Sequence, residues 1–315
     1  MAEKRRPIQF VRYFYPRTDV GPPGLNWIVA TPDLFKRLPP PLQEIIACKW
    51  RISDCTPTLE RKRRSPDHQQ QLVRRKRIMG NTISTEELYT TGTYLEKNPL
   101  WHTEESPWKA EQVLRMLHRQ MIAPRTICEV GCGAGEVLKQ LQQRLTNDCD
   151  LLGCDVSPQA IELCRSRANE KLHFLLGDVT KISDRFFDLI LVLDVIEHLE
   201  DYFSFLRKVK ERALYKIFQI PLDISVQTVL RVTPLIKDRQ RYGHIHYFNK
   251  ETALQLLTDL GYQIIDYFYT AVALDLPSTN FKNLVMRLPR KLAYSINVDM
   301  AVRLLGGYRL LILTR

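Results

Sequence analysis

The order of apolar runs and helical repeats predicts a doubly wound α/β fold, and three observations carry that prediction. Short aliphatic runs at Thr126–Val130, 151–154, Leu172–Leu176 and Phe187–Leu193 alternate with stretches whose apolar residues recur every three or four positions. Strands alternating with helices in this way build a parallel sheet covered on both faces. The fourth run is continuously apolar, as a central strand buried on both sides must be. Acidic residues close the runs, Glu129 in the first and Asp155, Asp178 and Asp194 at or just past the ends of the next three. Ligands of such sheets bind beyond the carboxyl ends of the strands.

The first run leads into Glu129-Val130-Gly131-Cys132-Gly133-Ala134-Gly135, and a helical pattern over 136–145 leads out, with Val137, Leu141 and Leu145 on one face. Glycine tolerates positive φ and has no Cβ, so a ligand can lie against the main chain here. A dinucleotide fingerprint would read G-x-G-x-x-G. The glycines fall instead at 131, 133 and 135, and 136 is Glu, so a nicotinamide dehydrogenase fails on spacing. Glu129 disfavours a pyrophosphate, which wants bare helix N–H groups. It suits a ligand with a cationic amino-acid end. Asp155 lies 20 residues after Gly135 at the end of the second run. A carboxylate there can accept both hydroxyls of a ribose.

The remaining elements follow in order. Ser106-Pro107 opens a helix over 107–122, with Ser106 expected as its N-cap. Ser157-Pro158 opens the helix after the second strand, and Tyr202, Phe205, Leu206 and Val209 mark the one after the fourth. A fifth strand is expected over 214–220. Asn249 caps a helix that Gly261 closes, and 262–270 and 308–313 read as the last two strands. The stretch 275–305 between them is basic and partly helical, and either shapes a pocket or merely packs.

The E-x-G-x-G-x-G pattern at 129–135 resembles motif I of the class I S-adenosylmethionine (SAM)-dependent methyltransferases. The resemblance covers about residues 84–315 and is most specific from Glu129 to Asp194. It implies a seven-stranded Rossmann-like sheet with an antiparallel last hairpin, and S-adenosyl-L-methionine as cofactor. It implies that Glu129, Gly131, Cys132, Gly133 and Gly135 hold the methionine end, and that Asp155 with Val156 holds the ribose. Asp178 with Val179 would receive the adenine, and Asp194 would close the site. Tyr94 and Trp108 are candidate lid residues, although simple packing onto the sheet accounts for them equally well.

Methyl transfer from a sulfonium needs alignment and, for an oxygen nucleophile, a base. Glu197, His198, His244 and His246 are the candidates. His244 and His246 alternate by two, so an extended segment would put them on one face. Asp194-x-x-Glu197-His198 with a later His also resembles the acid-acid-His-His metal site of small-RNA 3′-end methyltransferases, but Asp194 is one methylene short of that pattern. No metal ligand set is therefore assigned. The expected acceptor is a small molecule. The alternatives are a nucleic-acid methyltransferase and a non-catalytic SAM-binding protein. The Asn/Asp-Pro-Pro-Tyr/Phe motif of DNA amino-methyltransferases is absent, since Asp194-Val195-Ile196-Glu197 holds its place.

Charge divides the chain. Residues 1–78 carry 17 Lys and Arg against 7 Asp and Glu, with ten of the 18 prolines, whereas 79–315 is nearly neutral. The runs Arg61-Lys62-Arg63-Arg64 and Arg74-Arg75-Lys76-Arg77 offer a nucleic-acid arm or an anionic-surface anchor. The leading expectation is a poorly ordered, dispensable extension, with translation starting at Met79 and the methyltransferase domain spanning 79–315. No apolar run is long enough for a membrane span, no secretory leader is recognised, and seven cysteines form no C-x-x-C pair. These features predict a cytoplasmic protein with no membrane partner.

Overall fold

In the computed structural model, the described residues are 85–181, 185–277 and 281–315. The expected extension over 1–78 lies outside them. Two short helices, α1 (Thr85–Thr90) and α2 (Thr93–Lys97), precede α3 (Ser106–Arg119). The alternation then runs β1 (Thr126–Val130), α4 (Glu136–Arg144), β2 (Asp150–Asp155), α5 (Pro158–Cys164), β3 (Leu172–Leu176), β4 (Phe187–Leu193), α6 (Tyr202–Lys210) and β5 (Ala213–Pro221). Two helices follow, α7 (Val226–Arg231) and α8 (Thr233–Tyr242), and then α9 (Lys250–Asp259) and β6 (Ile264–Thr270). Last come α10 (Val272–Asp275), α11 (Phe281–Ile296), α12 (Val298–Leu305) and β7 (Arg309–Thr314).

The seven strands form one sheet in the order β3-β2-β1-β4-β5-β7-β6. The pairs among β1 to β5 are parallel, with Glu129 opposite Gly153 and Leu191. β7 is inserted antiparallel between β5 and β6, pairing Phe218 with Ile312 and Phe268 with Leu311. This is the expected Rossmann-like sheet with its antiparallel hairpin. The strand order reverses between β1 and β4, so a crevice opens past the ends of those two parallel strands.

Alternate residues of each central strand enter opposite cores. Leu189, Leu191 and Leu193 of β4 meet Val113, Met116 and Leu117 of α3 and Leu138 and Leu141 of α4. Ile190 and Val192 meet Leu206 and Val209 of α6 and Ala253 and Leu257 of α9. Each fully buried aliphatic side chain of this kind contributes about 1.5–3 kcal/mol. That two-sided burial is why β4 reads as an unbroken apolar run.

Local caps set the helix starts. Ser157 Oγ accepts the Ala160 N–H at 3.3 Å, with Pro158 following. Asn249 and Thr252 form a reciprocal capping box, and Gly261 takes φ +76° after α9. The start of α3 differs by one residue from expectation. Glu105 is the N-cap, Pro107 falls in the first turn, and the Ser106 hydroxyl turns back to the His102 carbonyl at 3.4 Å. Among the described residues no helix is long and apolar enough to cross a membrane.

Candidate active site

The bend after β1 uses all three glycines at positive φ, at +68°, +54° and +76° for Gly131, Gly133 and Gly135. The Gly131 and Cys132 N–H groups both donate to the Cys154 carbonyl, at 2.8 and 3.1 Å, which ties the bend to β2. A Cβ on Gly133 would come within 2.6 Å of Trp101 Cδ1, and one on Gly135 within 2.4 Å of Phe174 Cε1. The residue lying on the glycine face is thus Trp101, itself at φ +46°, with Tyr94 against it edge-on at 4.9 Å between centroids. Of the two expected lid residues, Tyr94 is part of this cover. Trp108 instead donates its indole N–H to Asp275 at 3.0 Å.

The strand-end acids have distinct surroundings. Glu129 is 3% exposed and its Oε2 has no hydrogen-bond partner. Burial pushes its carboxyl up to about 8, with Asp155 adding to the rise and Lys109 opposing it. Asp155 is buried and accepts the Gly133 N–H at 2.9 Å and the Ser157 N–H at 2.8 Å. Burial raises this carboxyl too, against the pull of those two donors. Each oxygen keeps a lone pair for another donor. Val156 beside it is 49% exposed. Asp178 caps the turn after β3 through the Thr180 N–H at 2.8 Å. Cys132 and Val179, both expected at the ligand, turn their side chains inward. The Cys132 sulfur approaches the Gly153 backbone, and Val179 joins the core with Val130 and Val192.

Asp194 sits at φ +56° just past β4 and is clamped by two cations. Lys109 Nζ of α3 lies 2.8 Å from one oxygen, and Arg309 Nε, the first residue of β7, lies 3.2 Å from the other. Arg309 also reaches Glu105 at 2.9 Å. Burial alone would raise the Asp194 carboxyl, but Arg309 and Lys109 hold it below the usual carboxylate range. Lys109, Arg309 and Glu105 carry no signal in the sequence, because they lie far from Asp194 along the chain.

The turn after Asp194 brings Glu197 and His198 against His244. One ligating atom from each lies within 4.8 Å of the others. Glu197 is 0% exposed, neither of its side-chain oxygens has a hydrogen-bond partner, and burial followed by Asp194 pushes its carboxyl up to about 8. Burial and the charge of His244 push His198 down to about 3, so Glu197 and His198, 3.7 Å apart, do not form an ion pair at neutral pH. His244 Nδ1 is held by Asp223 at 2.8 Å. Burial would lower His244, yet Asp223 and Glu197 together keep it raised. His246 does not join this group. Its Nε2 is bound to the Leu199 carbonyl at 2.9 Å and its ring meets Tyr202 edge-on. The two histidines do not share a face, because the Ile245 and His246 N–H groups both donate to the Glu197 carbonyl and the segment is not a strand.

A parallel sheet with one antiparallel insertion, and an acid-flanked glycine bend at its switch point, are the arrangement expected from the resemblance to the class I SAM-dependent methyltransferases. Residues 128–214 match the family model described as a methyltransferase domain. Over 92 residues the chain is 30% identical to ajmaline N-methyltransferase of Rauvolfia serpentina, which covers 27% of this chain and 31% of that one. It is 31% identical over 90 residues to the ubiquinone biosynthesis O-methyltransferase of Azorhizobium caulinodans, covering 27% and 34% respectively. The chain thus spans about a third of the length of these curated relatives. Among solved structures, one from the complex of the Haloferax volcanii Trm112 methyltransferase activator with a methyltransferase superposes with a TM-score of 0.51 and 16% identity, over 73% of this chain and 96% of that one. That likeness is one of fold.

Proposed function

We propose that the protein transfers the methyl group of SAM to a small-molecule acceptor through an oxygen nucleophile. One observation carries the reading: a buried strand-end carboxylate, Glu129, keeps an unpartnered oxygen at a three-glycine bend. The residues present fit SAM. Glu129 offers its oxygen to an α-ammonium group, the three glycines give the bend its left-handed backbone and admit Trp101 and Phe174 against it, and Asp155 retains acceptor capacity for a ribose. Asp178, just past β3, would receive the adenine. When bound, the cofactor supplies a methyl group already activated by a sulfonium charge.

The chain's own residues have the remaining tasks. Asp223 accepts the Nδ1–H of His244 and raises its basicity, so that in its neutral form the Nε2 lone pair is the proton acceptor. A hydroxyl acceptor needs such a base, whereas a free amine does not, and this favours oxygen. His198 stays uncharged beside it, so it does not repel an incoming proton. Trp101 and Tyr94 exclude water from the glycine face.

A second reading is favoured by the convergence of Glu197, His198 and His244, which would hold a divalent ion and with it the terminal ribose of an RNA. Turnover that collapses in chelator and returns with added metal would select that reading.

The test of the main reading is cofactor retention. Protein purified without added nucleoside and then denatured should release SAM or S-adenosylhomocysteine, detected by mass spectrometry. Asp155→Ala should weaken SAM binding by roughly tenfold or more, since a buried pair of acceptor oxygens is lost. A wild-type protein that binds neither nucleoside by calorimetry would overturn it.

A further inference from the structure

The helices between β6 and β7 carry a surface that the cofactor site does not use. On α11, Leu284, Val285, Leu288, Leu292 and Ile296 are each more than half exposed. At 3.6 residues per turn these five fall within about a third of the helix circumference, over roughly 18 Å of its length. The opposite face is anchored. Arg290 is buried there, and Tyr294 stacks on Tyr308 with centroids 5.5 Å apart. The apolar stripe is therefore the outward face of a helix whose inner face is already packed. Met300 of α12 continues it, and Leu230 of α7, a helix that packs beside α12, is 79% exposed. Contiguous apolar surface of this kind marks an interaction site.

Charge identifies the occupant. No Asp or Glu occurs between Leu276 and Val298, whereas Lys282, Arg287, Arg290 and Lys291 do. Arg287 and Lys291 are exposed and four residues apart, along one margin of the stripe. Long basic side chains lay their methylenes on apolar surface and extend their charge outward. The apolar stripe of α11, with a basic margin and no acid in that helix, matches an anionic bilayer, where acyl chains receive the leucines and phosphates meet the cations.

We propose that α11 docks the protein on the surface of an anionic phospholipid membrane, with its axis in the plane of the interface. The expectation of no membrane partner rested on the lack of a spanning segment, and a helix lying flat needs none. The site and the helices before β7 adjoin the same end of the sheet, because β7 begins at Arg309 beside Asp194 shortly after α12. Docking through α11 would hold that edge near the lipid.

The full chain should be sedimented with phosphatidylcholine vesicles, either pure or with about a third phosphatidylglycerol. Binding is expected on the mixed vesicles and to be weak on the pure ones. The pair Leu288→Asp and Leu292→Asp should cut the partition coefficient at least about tenfold, and Arg287→Gln with Lys291→Gln should cut it less. These side chains face outward, so circular dichroism and thermal unfolding should match wild type. Leu292→Trp should add a blue-shifted emission component when mixed vesicles are present. Binding left intact in the aspartate pair would assign it to basic residues 1–78 and overturn the proposal. So would a wild-type chain that fails to sediment with mixed vesicles, or a lipid-free dimer that the aspartate pair dissociates.

Discussion

Replacing Glu129 with Gln removes a titratable group from the end of β1 while keeping its shape. The wild-type carboxyl is buried, half unpartnered and raised to about 8. In the unfolded chain it titrates near ~4.3. Between those values the folded state holds a proton that the unfolded state has lost, so stability declines as pH rises through this window. The contribution is fully present below the unfolded value and is lost as pH approaches the folded one. At pH 7, about 2.7 units above the unfolded value, the loss amounts to about 4 kcal/mol, at roughly 1.4 kcal/mol per unit. That is a large share of the ~5–15 kcal/mol typical of a domain. Urea unfolding without nucleoside should show Glu129→Gln more stable than wild type by about 3–4 kcal/mol at pH 7, with the gap narrowing to about 1 kcal/mol at pH 5. Glu197 is raised to about 8 as well, so the single variant should keep roughly half of the pH slope. An α-ammonium placed against Glu129 would favour the carboxylate. Calorimetry of SAM binding in two buffers of different ionisation enthalpy should then detect a proton released at pH 7 by wild type and less by the variant. Parallel stability profiles for the two proteins, together with equal proton release, would refute the burial argument for Glu129.

Two further outcomes follow from the geometry. Gly135→Ala must hold φ near +76° and place its Cβ 2.4 Å from Phe174 Cε1, so unfolding should show a loss of about 2 kcal/mol or more. Arg309→Met leaves the partly buried Asp194 with Lys109 as its remaining cation, and should cost about 2 kcal/mol in the same measurement, with Arg309→Lys recovering part of it.

The strands were legible because burial on both faces leaves a direct mark in sequence. β1, β3 and β4 begin and end where the apolar runs do. The glycine bend was legible because three left-handed positions so close together tolerate little else. Caps at Ser157 and Asn249 were legible because a side chain that accepts an N–H two or three residues on is local chemistry. Ser106 misled for a related reason: Ser-Pro reads as a cap and first turn, but Glu105 had already entered the helix. The histidine pair misled because period two applies to a strand, and the segment from Gly243 to Asn249 is held irregular by the Glu197 carbonyl.

What the sequence by itself determined is the alternation, the sheet and the glycine bend, all of which rest on periodicity and on backbone demands within a few residues. What only the tertiary structure decided is the electrostatics and the cover of the site. Arg309 meets Asp194 because β7 inserts antiparallel and brings its first residue to the end of the sheet where β4 stops, and Lys109 reaches it from α3. Asp223 reaches His244, and Trp101 rather than Trp108 lies on Gly133, through chain reversals between distant segments. Pairings across such distances leave no periodic trace, since charge and ring contacts act through space and not along the chain.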